Sequence, residues 1–169
     1  MRVSDLRAFD QQALVTVDGT ATVRDAVKTM AEKSIGAILI VEAGKVAGIF
    51  TERDLMNKVV SKELDPSSTR IADVMTASPK TARASDAAID SLELMASGGF
   101  RHLPVVDDDD HPIGIVSQRD FVATTLPQAL SLARQTAQAT VAKRYQPVTI
   151  IASIIGYTLV IVLAVSIFT

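Results

Sequence analysis

Two stretches of this chain hold the residues best suited to chemistry, and they are near copies of each other. They are Gly48-Ile49-Phe50-Thr51-Glu52-Arg53-Asp54-Leu55 and Gly114-Ile115-Val116-Ser117-Gln118-Arg119-Asp120-Phe121. Each reads as an apolar strand end, then a hydroxyl residue, then Arg-Asp opening a helix. A hydroxyl followed three residues later by an acid is a capping box, and helix starts alone account for it. The same geometry has a second use. A helix N-terminus offers free N–H groups and the positive end of the helix dipole, which suit phosphate. The hydroxyl can donate to a phosphate oxygen, and the carboxylate can accept both hydrogen bonds of a ribose diol. Thr51, Arg53 and Asp54, with Ser117, Arg119 and Asp120, thus suit a nucleoside phosphate, the sugar at the Asp and the phosphate nearer the hydroxyl. Capping does not require Arg53 or Arg119, yet both copies have them; surface ion pairs are the other account of them.

The elements that must position these residues are also written twice. Positions 16–41 align with 81–106 at a constant offset of 65, so that Thr16 meets Thr81, Asp25 meets Asp90 and Met30 meets Met95. One extra residue enters at Asp107–His111, and from Gly48 and Gly114 onward the offset is 66. A hairpin turn tolerates such an insertion. In the first copy we expect a strand at Leu14–Val17 and a helix capped by Thr22. A buried strand at Ala37–Val41, a turn at Glu42–Lys45, a strand at Val46–Phe50 and a helix from Thr51 to about Glu63 complete it. Residues 1–13 read as a lead-in helix, Asp65–Thr69 as a linker and Ile71–Met75 as a short helical turn. Each unit is strand–helix–strand–strand–helix, and two such units can close one core between them. The expected fold class is α/β (α+β in detail). The expected segments are 1–64 (first unit with its lead-in), 65–126 (second unit with linker), 127–146 (a helical stalk) and 147–169 (a membrane tail).

Composition excludes several functions. The net charge of −2 over 169 residues gives no basic face for nucleic acid. The absence of Cys excludes disulfides and thiolate metal sites, and two His cannot build a histidine cage. Asp107-Asp108-Asp109-Asp110 lacks the alternating ligands, central Gly and later Glu of a calcium loop, and reads as a solvated turn. No metal site and no catalytic residue is expected, because no nucleophile–base–orienter set is present.

The tail differs from the rest. No Asp, Glu, Lys or Arg follows Arg144, and Val148–Phe168 is 21 uncharged, mostly apolar residues. At ~1.5 Å per residue this stretch reaches roughly 31 Å, the thickness of a bilayer core of about 30 Å. We expect a single transmembrane helix, with Lys143 and Arg144 placing the globular part in the cytoplasm at an inner or plasma membrane. Ala152-x-x-x-Gly156 is a small-xxx-small pair that could bring two such helices together.

The repeated motifs, with Phe100-Arg101-His102-Leu103-Pro104-Val105-Val106 and Ile71-Ala72-Asp73-Val74-Met75-Thr76, resemble a tandem pair of cystathionine β-synthase-type (CBS) domains over residues 1 to about 126. The resemblance implies a regulatory, non-enzymatic module that binds an adenosine ligand (AMP, ADP, ATP or S-adenosylmethionine) between its two units. It implies that Asp54 and Asp120 hold ribose, that Thr51 and Ser117 contact ribose or phosphate, and that Thr16 and Thr81, with Ile38 and Leu103, border the adenine. Basic residues at the Arg101-His102 positions often reach phosphate in related domains. Arg101-His102 would back the second half and Gly36-Ala37 the first, making the pockets unequal. The bland alternatives are a surface Arg101 and a partly buried His102. The resemblance also implies a homodimer, and with the tail a membrane-protein partner. The competing reading is a ligand-free scaffold with vestigial pockets, serving dimerisation and tethering.

Overall fold

The computed structural model describes the backbone of residues 1–6 and 14–168, and within these the side chains of all but 128, 137–150 and 160–168. Phe9 of the expected lead-in helix lies outside the described residues. What precedes it is a single 3-10 turn, Val3–Asp5.

The first repeat begins with β1 (Thr16–Val17), shorter than expected. It continues through α1 (Val23–Lys33), β2 (Ala37–Glu42) and β3 (Lys45–Thr51). Thr22 caps α1 by accepting a hydrogen bond from the Asp25 N–H at 3.2 Å, the cap the spacing predicts. After β3 comes an α-turn, α2 (Glu52–Asp54), then a π-turn at Leu55–Val59 and a 3-10 turn at Val60–Lys62. The connection then adds β4 (Thr76–Ala77) antiparallel to β3. The second repeat follows as β5 (Ala82–Arg83), α3 (Ala88–Gly98), β6 (His102–Val106), β7 (Pro112–Ser117) and α4 (Gln118–Phe168).

Two sheets result, ordered β1-β2-β3-β4 and β5-β6-β7. The outer strand is parallel to the middle one in each, with Val17 opposite Ile40 and Ala82 opposite Val105. Even the register shift recurs, between Ile40 and Val41 and between Val105 and Val106. Where the second repeat carries its extra residue, the Asp107 carboxylate accepts hydrogen bonds from the N–H groups of Asp109 and His111 and shapes the turn. Arg83 pairs with Asp108 and Asp110, and Lys45 with Asp110, so the acidic run is a turn held in part by ion pairs. Among the described residues no acidic or histidine cluster suits a metal.

Two helix-covered cores form, with a small third cluster. Ile38, Ile40, Phe50 and Val59 pack with Ile71 and Val74. Leu103, Val105, Val116 and Phe121 pack with Val3 and Leu6. Alternation along β2 turns Ala37 and Leu39 the other way, into a cluster with Ile49 against which Ile115 of the second repeat packs. The lead-ins are therefore exchanged. Residues 1–6, grouped on sequence with the first repeat, hydrogen-bond and pack on the second: the Val3 N–H donates to the Asp86 carbonyl and the Ser4 N–H to the Ala84 carbonyl, both at 3.0 Å. Residues 71–75, grouped with the second repeat, complete the core of the first. Spacing along the chain carries no information about which of two equivalent apolar faces a short turn will cover.

Met1–Thr124 form one compact unit holding both repeats, and Thr125–Thr169 a second. The helix α4 runs on through Pro127 rather than starting there. A proline ring inside a helix removes one hydrogen bond but need not end it. Among the described residues no helix is long and apolar enough to cross a membrane. The span expected at 148–168 has described side chains only at 151–159, and its remaining side chains lie outside the description.

Candidate functional site

The Thr51–Asp54 pair closes as a capping box, and in the Ser117–Asp120 pair the carboxylate closes back on the hydroxyl residue. The Thr51 hydroxyl and N–H donate to Asp54 Oδ2 at 2.6 and 3.0 Å, and the Asp54 N–H donates back to Thr51 Oγ at 3.3 Å. The Ser117 hydroxyl and N–H donate to Asp120 Oδ2 at 2.6 and 2.7 Å. Strand β3 delivers Thr51 and β7 delivers Ser117 to the ends of their sheets, and the turn into helix fixes the carboxylate three residues on. Gly48 makes this possible in the first repeat, since the Met75 side chain occupies the space a Cβ would take.

A cleft of about 400 Å³ opens at Asp54. Its wall combines Thr51 and Asp54 of the first repeat, Thr76 and Lys80 of the connection, and Arg101 and His102 of the second repeat. The sequence reading attached Arg101-His102 to the half containing Asp120. The fold gives them both neighbours: His102 pairs with Ser117 across β6 and β7 and feels the Asp120 charge, and Arg101 and His102 also line the cleft at Asp54. Gly36 lies on the same wall; a Cβ there would stand 3.4 Å from Glu52 and 3.5 Å from His102.

The charges of the cleft follow from these neighbours. Asp54 is buried, which works against its charge. Hydrogen bonds from Lys58 and Thr51, with the Lys58 charge, outweigh that and hold its carboxyl below the usual carboxylate range. The Lys58 Nζ lies 2.7 Å from Asp54 Oδ1, and Thr76 Oγ lies 3.2 Å from the same oxygen. Burial pushes the His102 imidazole down, and Arg101 adds to this against an opposing pull from Glu52 and Asp120. His102 is therefore a neutral hydrogen-bonding group at neutral pH, leaving Lys80, Arg101 and Arg53 as the cations of the lining.

Not every expected residue faces this space. Arg53 lines the cleft, but its guanidinium donates to the Gly99 carbonyl at 2.7 Å, tying the two repeats together. Ile38 and Leu103, expected at the adenine, are each 0% exposed in the two cores; the pleat turns them away from the cleft, and Ile49 is the strand residue that lines it. Thr16 and Thr81 are exposed at strand starts and are not part of the lining. Ser117 ends β7, Arg119 and Asp120 open α4, and none of the three is part of this cleft's lining. The sequence reading missed Lys58, Thr76 and Lys80. The Asp54-Lys58 spacing of a helical ion pair was a readable signal; the other two come from the connection, which nothing local marks as a wall.

A family model for the CBS domain matches residues 3–61 and 71–131. The chain is 40% identical over 96 residues to the meiotically up-regulated gene 70 protein of Schizosaccharomyces pombe, a match covering 57% of this chain and 13% of that protein. The chain thus spans a small part of that relative. A solved CBS-domain protein of Burkholderia ambifaria MC40-6 superposes with a TM-score of 0.68 at 36% identity, over 74% of this chain and 91% of that one. The structure of CBSX2 in complex with AMP superposes with a TM-score of 0.62 at 28% identity, over 76% and 98%.

Proposed function

The chain belongs to the CBS domain family, and on that premise we propose that it is a regulatory, non-catalytic module that binds an adenosine nucleotide in the cleft at Asp54. The observation that carries this is the joining of a diol acceptor, Asp54, and phosphate-seeking cations, Lys80 and Arg101, on the walls of one opening of about 400 Å³, within the usual range for small-molecule sites. The AMP complex of the similar CBSX2 supports the same ligand class. Occupancy is passed on as a change in shape or assembly, and only a ligand with different affinities for the two states can drive it.

In this reading the tail tethers the module to a membrane beside the partner it regulates. Support comes from the uncharged run 148–168 and from Ile151, Ile154, Ile155 and Leu159, each more than half exposed on a helix that offers them no cover. The module pairs with a second copy. Met56, Val60 and Leu64 are exposed at four-residue spacing, and Val122, Leu126 and Leu130 repeat them 66 residues later.

Thermal melting of the chain with AMP, ADP, ATP, S-adenosylmethionine and NADH tests the ligand reading. At 100 times its dissociation constant a ligand adds roughly 2.7 kcal/mol of stability. No shift with any of them at millimolar concentration overturns the proposal in favour of a ligand-free scaffold.

A further inference from the structure

Lys58 is the one lysine in contact with either of the two motif carboxylates among the described residues. It stands behind Asp54, outside the cleft lining. Its ammonium has three donors, and each has a partner: Asp54 Oδ1 at 2.7 Å, the Met75 carbonyl at 3.1 Å and Thr76 Oγ at 3.0 Å. The cation is thus fixed in place by the helix it comes from and by the start of β4. The second repeat has no such arrangement. The position matching Lys58, 66 residues on, is Thr124, whose hydroxyl donates to the Asp120 backbone carbonyl at 2.8 Å. Asp120 receives Ser117 alone on Oδ2, and no lysine or arginine pairs with it among the described residues. The backbone differs as well: Lys58 lies in a π-turn, a feature common at functional sites, while the matching stretch of α4 is regular.

A carboxylate that holds a ribose diol also repels the phosphate of the same ligand. A fixed cation behind it cancels that repulsion without taking up ligand space. Resting on the adenosine-nucleotide reading above, we infer that Lys58 is a positioning residue that sets ligand charge: it neutralises Asp54 so that this cleft takes a phosphorylated nucleoside, whereas Asp120 keeps its charge and suits a neutral or cationic one. Lys80 and Arg101 on the Asp54 side add to the same preference.

The test is calorimetric titration of the whole chain with AMP, adenosine and S-adenosylmethionine, in wild type and in Lys58→Met, Lys58→Arg and Thr124→Lys. Lys58→Met weakens AMP about tenfold and adenosine far less, and Lys58→Arg, which keeps the charge, restores AMP. Thr124→Lys weakens S-adenosylmethionine and strengthens AMP. If Lys58→Met lowers AMP and adenosine binding equally, or if Lys58→Arg fails to rescue AMP, Lys58 is a structural residue and the inference falls, with the nucleotide reading intact. Unchanged ligand preference in Thr124→Lys removes the assignment at Asp120. A wild-type chain that binds none of the three probes overturns this inference, and the melting series with ADP, ATP and NADH decides whether the nucleotide reading falls with it.

Discussion

His102 is where residue chemistry meets ligand charge. Burial and the neighbouring Arg101 hold its imidazole below the ordinary 6.5, against Glu52 and Asp120. A phosphate placed in the cleft adds negative charge and draws a proton onto the ring. In an NMR titration the apo chain should therefore show a His102 midpoint below 6.5, and AMP should raise it. The sign for stability follows. The unfolded chain binds this proton first as pH falls, so the stability tied to neutral His102 is complete above the unfolded value and is lost as pH drops through it. His102→Asn should flatten the fall in melting temperature between about pH 7.5 and 5.5. An apo midpoint above the ordinary value, or an unchanged slope in the variant, contradicts this account. His102 was readable in the sequence as a basic-flanked residue, but its partners were not. Glu52 and Gly36 come from the other repeat, and residues 50 or more positions apart carry no local sign of contact.

At the scale of elements the exchange of lead-ins matters most. Leu6 is 1% exposed in the core with Met95, Leu103 and Phe121, although it precedes that repeat by a whole domain length. Leu6→Ala removes buried volume that the rigid neighbours cannot fully collapse into, at a cost of about 2–5 kcal/mol. Hydrogen exchange on that variant should show β6 and β7 losing protection before β2 and β3. The opposite order would mean that the lead-in does not act on the second core. The strands, helices and hairpins were legible from apolar runs and turn residues. The partner of each short lead-in was not, because both repeats present nearly the same apolar face. Arg53 follows the same logic. Its position beside Asp54 suggested a ligand contact, yet the left-handed Gly99 turn of the other repeat brings a carbonyl within reach.

For the whole molecule, the two proposals about assembly are tested together. The chain should stay with membranes through alkaline carbonate washing, since the uncharged, mostly apolar run 148–168 gains most by leaving water. Extracted in mild detergent, it should sediment as two copies, and Val60→Asp with Leu126→Asp should reduce it to one by removing one residue from each exposed stripe. Release by carbonate sinks the tether, and a single-copy mass in the wild type sinks the pairing.

The sequence by itself determined the doubled unit, its element order, the two hydroxyl–acid pairs and the charge-free tail, because these depend on periodicity and on contacts three or four residues apart. Only the tertiary structure decided what stands opposite what. Pairing the repeats set Arg101 and His102 on one cleft wall with Asp54, made Lys80 part of that wall, and strand parity sent Ile38 and Leu103 into the cores. The inequality of the two motifs was visible in part as Arg101-His102 against Gly36-Ala37. Its sharper form, Lys58 behind Asp54 and Thr124 near Asp120, required knowing that β4 passes close enough to hold the lysine in place.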